Sequence, residues 1–188
     1  KRNLFLAAVL IAFAAGMRLV PHPWNVAPVA AAALLAGAVL PRKWAIAVPI
    51  LALLASDVFL GAYKLPVMLT VYACFALTAF MGTWLKDLKP MKVLGASLTS
   101  SVVFFLATNF AVWASADWYE KSWQGLALCY TLAIPFFRNT MLGDLMFTGV
   151  VFGGWEYVVR LDWYLVRNYK IHSSALLSLK SSLDSGVV

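Results

Sequence analysis

The sequence predicts an all-α integral membrane protein of about six transmembrane helices. Three observations carry this. The chain is 63% hydrophobic and 12% charged, with a mean hydropathy of +0.82. A soluble domain is about 25% charged, and an aqueous surface cannot be built from so few charges. The apolar residues fall in runs near the ~20 residues a helix needs to cross a bilayer, punctuated by prolines and basic residues. A chain of 188 residues then holds about six such spans with short loops, and no soluble catalytic domain besides.

Span one is about Leu4–Val20. It superficially resembles a signal peptide, but no convincing small-residue cleavage site follows and Arg18 closes the run, so it reads as a retained span. Pro21-His22-Pro23 stops it, because proline lacks an amide donor and disfavours helix before it. Span two, about Asn25–Leu40, is alanine-rich and ends at Pro41-Arg42-Lys43. Span three, about Trp44–Tyr63, carries Pro49 and Asp57. Span four is about Pro66–Leu85, and a basic loop with Lys86, Lys89 and Lys92 leads to span five, about Val93–Ala114. Asp117–Gln124 reads as a loop or an interfacial helix. Residues 125–137 are apolar, too short to cross and interrupted by Pro135, which predicts a broken or re-entrant segment before the last helix. Span six is about Asn139–Val159. The chain thus divides into a transmembrane domain, 1–159, and a polar cytoplasmic tail, 160–188, with a weakly amphipathic stretch at Ser173–Leu183. The tail is expected to lie on the membrane surface or to be disordered.

With the N-terminus in the cytoplasm and six crossings, eleven Lys and Arg face the cytoplasm, and only Arg18, Lys64, Lys121 and Arg138 face the other side. The positive-inside rule favours that orientation, with both termini cytoplasmic. The net charge of +7 is then loop and tail charge facing anionic lipid, and nucleic acid is not an expected partner.

Under this topology Arg18, His22, Asn25, Asp57, Asn109, Arg138, Asn139 and Asp144 all fall toward the outer half. Polar groups near lipid are costly and usually face a protein interior or a water-filled cavity. Pro21, Pro23 and Pro28 make a rigid turn that fixes Arg18, His22 and Asn25 relative to one another. That turn faces a ligand, or Arg18 pairs Asp57 and His22 caps a carbonyl. Asp57 is Arg18's partner or meets a cationic substrate. The Asn109 amide serves a neutral polar ligand or an interhelical hydrogen bond. Arg138 falls where the broken segment meets span six; a helix N-terminus there would hold an anion. Alternatively, Arg138 and Asp144 bridge the break.

Trp24, Trp113, Trp118, Tyr119 and Trp123 collect on the same side, mostly as an interfacial belt, with Trp24 and Trp113 the best candidates to wall a cavity. Ala8, Ala12 and Gly16, spaced by four, form a groove for a partner helix. Cys74 and Cys129 read as small buried hydrophobes. No phosphate-binding loop, HExxH or GxSxG motif is present, and no nucleophile–base pair is convincing. No catalytic residue, metal or cofactor is therefore expected, and the protein reads as a non-enzyme.

Several segments together carry a resemblance: Arg18…Pro21-His-Pro-Trp-Asn25-Val-Ala-Pro28, Ser56-Asp57…Leu60-Gly61, Tyr72-Ala-Cys-Phe75, Thr108-Asn109…Trp113, and Cys129-Tyr…Ile134-Pro-Phe-Phe-Arg-Asn-Thr140…Gly143-Asp144. Over about residues 4–158 the chain resembles a family of uncharacterised bacterial membrane proteins, itself similar to the substrate-binding (S) components of energy-coupling-factor transporters. The resemblance implies a six-helix S-component-like bundle in the bacterial inner membrane, with a pocket open to the extracytoplasmic side. It also implies that the first helix docks on a transmembrane coupling subunit driven by ATPases. The His-rich metal motif of nickel and cobalt members is absent. The leading expectation is a capture subunit for a small polar or zwitterionic, vitamin-like solute. Arg18 and Arg138 would meet anionic groups, Asp57 and Asp144 would orient them or meet a cation, and the asparagines would give neutral hydrogen bonds. The rival expectation is an accessory subunit of a larger bioenergetic membrane complex, contacting it through residues 160–188.

Overall fold

The structure, a computed structural model, describes residues 2–21, 25–61 and 63–184, with side chains described as far as Arg167. Its elements are α1 (Arg2–Leu19), α2 (Val29–Val39), α3 (Arg42–Leu60), α4 (Leu65–Gly82), α5 (Pro90–Ser115) and α6 (Trp123–Asp184). Among the described residues every element is a helix. The chain forms two compact units, Lys1–Val151 and Phe152–Val188.

Proline sets the helix starts. Pro41 precedes α3, Pro66 lies in the first turn of α4 and Pro90 opens α5. The missing amide costs nothing there, because first-turn amides have no intrahelical acceptor. Helices α1, α3, α4 and α5 are long and apolar enough to cross a membrane. Their outward side chains include Phe5, Val58, Phe59, Leu69 and Phe110, all exposed. Continuous apolar surface of this kind belongs against lipid.

The second expected span is shorter than the sequence suggested. Helix α2 covers only Val29–Val39, 11 residues, or about 16 Å, roughly half of a bilayer core. Helix cannot begin at Asn25, which sits in the left-handed region at φ 63°, and Pro28 immediately precedes the first turn. Instead of facing lipid, α2 is enclosed: Val29 through Gly37 are all buried, with α1, α3, α4 and α5 around it. Alanines suit this position because they let four neighbours approach closely.

The tightest approach is at Gly37 and Gly82. A Cβ on Gly37 would lie 2.0 Å from the Ala79 carbonyl oxygen, and one on Gly82 would lie 2.3 Å from that of Leu34. Helices α2 and α4 thus touch backbone to backbone, where only glycine fits.

The break expected at Pro135 does not occur. Helix α6 runs through it without interruption, so residues 125–137 are not a separate half-helix. Proline deletes one amide donor, and a membrane helix tolerates that where its neighbours support the backbone. Here Tyr130 and Phe137 pack on Phe105 of α5, with ring centroids 5.5 and 4.5 Å apart, on either side of Pro135. Pro135→Ala should therefore keep the helix and raise thermal stability, by up to about 3 kcal/mol. A fall in the melting temperature would show that the proline is needed.

The tail is helical over most of its length. Residues 160–184 continue as helix, so the change near residue 160 is one of composition, not of secondary structure. Glu156 and Arg160 pair at i,i+4, and Arg167 lies over the Trp163 ring at 5.2 Å. Both are local contacts that favour helix. The side chains of the amphipathic stretch Ser173–Leu183 lie outside the described residues.

Candidate functional site

One polar cluster joins three helices of the first unit. Arg18, in the last turn of α1, places Nη2 2.9 Å from Asp57 Oδ1 of α3, and its Nη1 donates to Ser56 Oγ at 2.5 Å. From α4, the Tyr72 hydroxyl donates to Asp57 Oδ2 at 2.8 Å. Asp57 Oδ1 accepts no hydrogen bond from the described residues, so its contact with Arg18 is a charge contact. Arg18 is 17% exposed and Asp57 10%. Of the two roles open to Asp57, partner of Arg18 and ligand for a cation, the first is the one formed.

Beside this pair lies a cavity of about 750 Å³, within the usual size for a small-molecule site. Arg18 and Asn25 line it, with Leu60 and Tyr63 from the end of α3 and the loop after it, Val71 and Phe75 from α4, Ser100 and Phe104 from α5, and Thr140 and Asp144 from α6. Asn25 is set there by its left-handed backbone, which asparagine adopts more readily than most residues. The Tyr63 hydroxyl is pushed above its ordinary pKa, first by burial and then by the Asp57 charge, with Arg18 opposing. It therefore stays a neutral donor. A smaller cavity of about 240 Å³ shares Asn25, Phe104 and Thr140 and reaches Thr108 and Asn109.

Asp144 is 6% exposed, and Ser101 Oγ donates to its Oδ2 at 2.7 Å. Around it runs a seam of hydroxyls. Thr148 donates to Ser97 at 3.0 Å, and Thr78 and Ser100 share a hydrogen bond of 2.6 Å. These bonds satisfy the hydroxyls of α4, α5 and α6 where water is excluded.

The other expected site residues are placed differently. Asn109 donates to the Phe105 carbonyl one turn back, at 2.8 Å, and lines only the smaller cavity. Arg138 is exposed and Asn139 half-buried on unbroken helix; neither lines either of these two cavities. Helix α6 runs through Arg138, so no helix begins at that residue to hold an anion. Arg138 and Asp144 do not bridge, because six residues set them about 120° apart around α6. Trp113 clamps the following loop instead of walling the cavity: its Nε1 donates to the Glu120 carbonyl at 2.9 Å, and Lys121 donates to the Trp113 carbonyl. His22 and Trp24 lie outside the described residues. Ala8, Ala12 and Gly16 are exposed on α1, opposite the buried face of Ala7, Leu10 and Ala14. Cys74 and Cys129 are free and buried. Among the described residues no three His, Cys, Asp or Glu side chains gather as a metal site requires.

Sequence reasoning passed over Tyr63, Ser100, Ser101 and Thr140. A signal was available on α5: Ser97, Ser101, Phe104 and Thr108 recur at helical spacing, so an apolar helix carries one polar, inward face.

Together these features define a class: a multi-pass helical membrane protein whose packed unit holds an open cavity with polar and ionisable groups in an apolar wall. The chain belongs to DUF6580, a family of unknown function whose model matches residues 1–166. No curated protein and no solved structure matches it.

Proposed function

We propose that this protein is a membrane solute-binding subunit of the energy-coupling-factor type, capturing a small polar or zwitterionic solute from the extracytoplasmic side of a bacterial inner membrane. The cavity of about 750 Å³ that brings Arg18, Asn25 and Asp144 to one space is the observation that carries this reading. Asp144 lies far in sequence from Arg18 and Asn25, and ionisable groups drawn to a cavity within an apolar bundle mark solute paths. The exposed Ala8, Ala12 and Gly16 would meet a coupling subunit driven by ATPases.

Native mass spectrometry of the protein extracted gently from its own membrane tests this. A bound small molecule is expected, with occupancy at least tenfold lower in Asn25→Gly. Glycine keeps the left-handed backbone and removes only the amide. Arg138→Ala should keep the solute. An empty wild-type protein, or equal occupancy in Asn25→Gly, would sink the assignment of this cavity.

A second reading, an accessory subunit of a larger membrane complex, is favoured by one observation. Residues 160–184 are helical, the form in which a tail makes a regular contact. Stoichiometric co-purification with a non-transporter complex, abolished by removing 160–188, would select it.

A further inference from the structure

We propose that the cavity takes an organic amine, with its ammonium group at Asp144 and its apolar body against Phe75 and Phe104. This rests on the solute-binding reading above and names the substrate class.

Charge balance is the first argument. Two groups of opposite formal charge line the cavity, Arg18 and Asp144. Arg18 is already matched by Asp57 at 2.9 Å, whereas the described partner of Asp144 is the neutral hydroxyl of Ser101. None of the ion pairs among the described residues includes Asp144. A carboxylate at 6% exposure without a countercharge is costly, and a cationic ligand removes that cost. An anion would instead face an acid that has no countercharge among the described residues.

Acceptor geometry is the second. Thr140 lies one turn before Asp144 and lines the same cavity, as does Ser100. The Thr140 hydroxyl donates to the Phe136 carbonyl at 3.0 Å, which leaves its lone pairs to accept. An ammonium carries three N–H donors, and this part of the wall offers a carboxylate and two hydroxyl oxygens.

The apolar wall is the third. Phe75 and Phe104 lie with ring centroids 5.2 Å apart and planes tilted by 42°, and both line the cavity. Aromatic faces attract cations and cover flat apolar bodies.

Benzylamine, benzoate and benzyl alcohol share one ring and differ in charge, so they test the assignment on the purified full chain in lipid nanodiscs. Benzylamine is expected to bind and the other two to bind at least tenfold more weakly. Asp144→Asn should lower benzylamine affinity at least tenfold. A second arm needs no variant. Dicyclohexylcarbodiimide modifies carboxyl groups in apolar surroundings, and benzylamine, but not benzyl alcohol, should protect Asp144 of the wild-type protein, read by peptide mass. Equal binding of benzylamine and benzyl alcohol, or unprotected Asp144, overturns the amine assignment. Tighter binding of benzoate overturns it too, while leaving solute capture intact. If none of the three binds, the amine assignment falls; a solute still seen by native mass spectrometry then preserves the capture reading, and an empty protein removes both.

Discussion

Gly37→Ala should destabilise the protein by about 3 kcal/mol or more, the upper range for overpacking a tight contact. The new methyl would sit 2.0 Å from the Ala79 carbonyl oxygen and 2.8 Å from Gly82 Cα. Both are backbone atoms, so no side chain can rotate aside. Either α2 moves away from α4 or the α2 helix deforms. Because α2 is buried against four helices, displacing it disturbs all of them. Gly82→Ala should behave alike, since its Cβ meets the Leu34 carbonyl oxygen at 2.3 Å. Gly95→Ala is the control: nothing lies within 4 Å of its Cβ position, and alanine is the better helix former, so stability should hold or rise by up to about 1 kcal/mol. Thermal unfolding in one detergent reads all three. Near-equal melting temperatures for Gly37→Ala and Gly95→Ala would mean that α2 and α4 do not touch as described.

Breaking the Arg18–Asp57 pair from one side is the second large effect. Arg18→Ala leaves Asp57 buried with only the Tyr72 hydroxyl, and Asp57→Ala leaves Arg18 with only Ser56. Removing one partner of a buried pair costs about 3–5 kcal/mol, because the remaining charge stays desolvated. Replacing both together with apolar residues of similar volume, Arg18→Met with Asp57→Leu, should recover most of that loss. Some deficit remains from the unpartnered Ser56 and Tyr72 hydroxyls, about 1 kcal/mol each. The informative quantity is the coupling in the double-mutant cycle. Additive losses would show two independent residues and would remove the pair as the tie between α1 and α3.

Most element positions were legible in the sequence because proline acts locally. Pro41, Pro66 and Pro90 set helix starts by a property of their own amide, whatever packs around them. The same rule misled at Pro135, where the cost of a lost amide is small beside the packing of α6 on α5. It was incomplete at α2, because apolar residues at 25–40 do not reveal whether a helix meets lipid or other helices. The candidate site shows the same divide. Arg18, Asn25 and Asp144 stood out as polar residues in apolar surroundings. Ser100, Thr140 and Tyr63 did not, since hydroxyls are cheap enough to appear in many spans without a site.

The sequence by itself determined that this is a helical membrane-type chain, where most of its helices begin, and that certain ionisable residues must avoid lipid. Composition and local backbone chemistry suffice for those, because each depends on a residue and its near neighbours. Only the tertiary structure decided which partners these residues take: Arg18 with Asp57, Asp144 with Ser101 beside a cavity, and Arg138 on the exposed side of α6. It also decided that Gly37 and Gly82 meet. Pairing across helices depends on rotation and depth, and a shift of one residue turns a side chain by about 100°. That angle is fixed by packing, which the chain order does not contain.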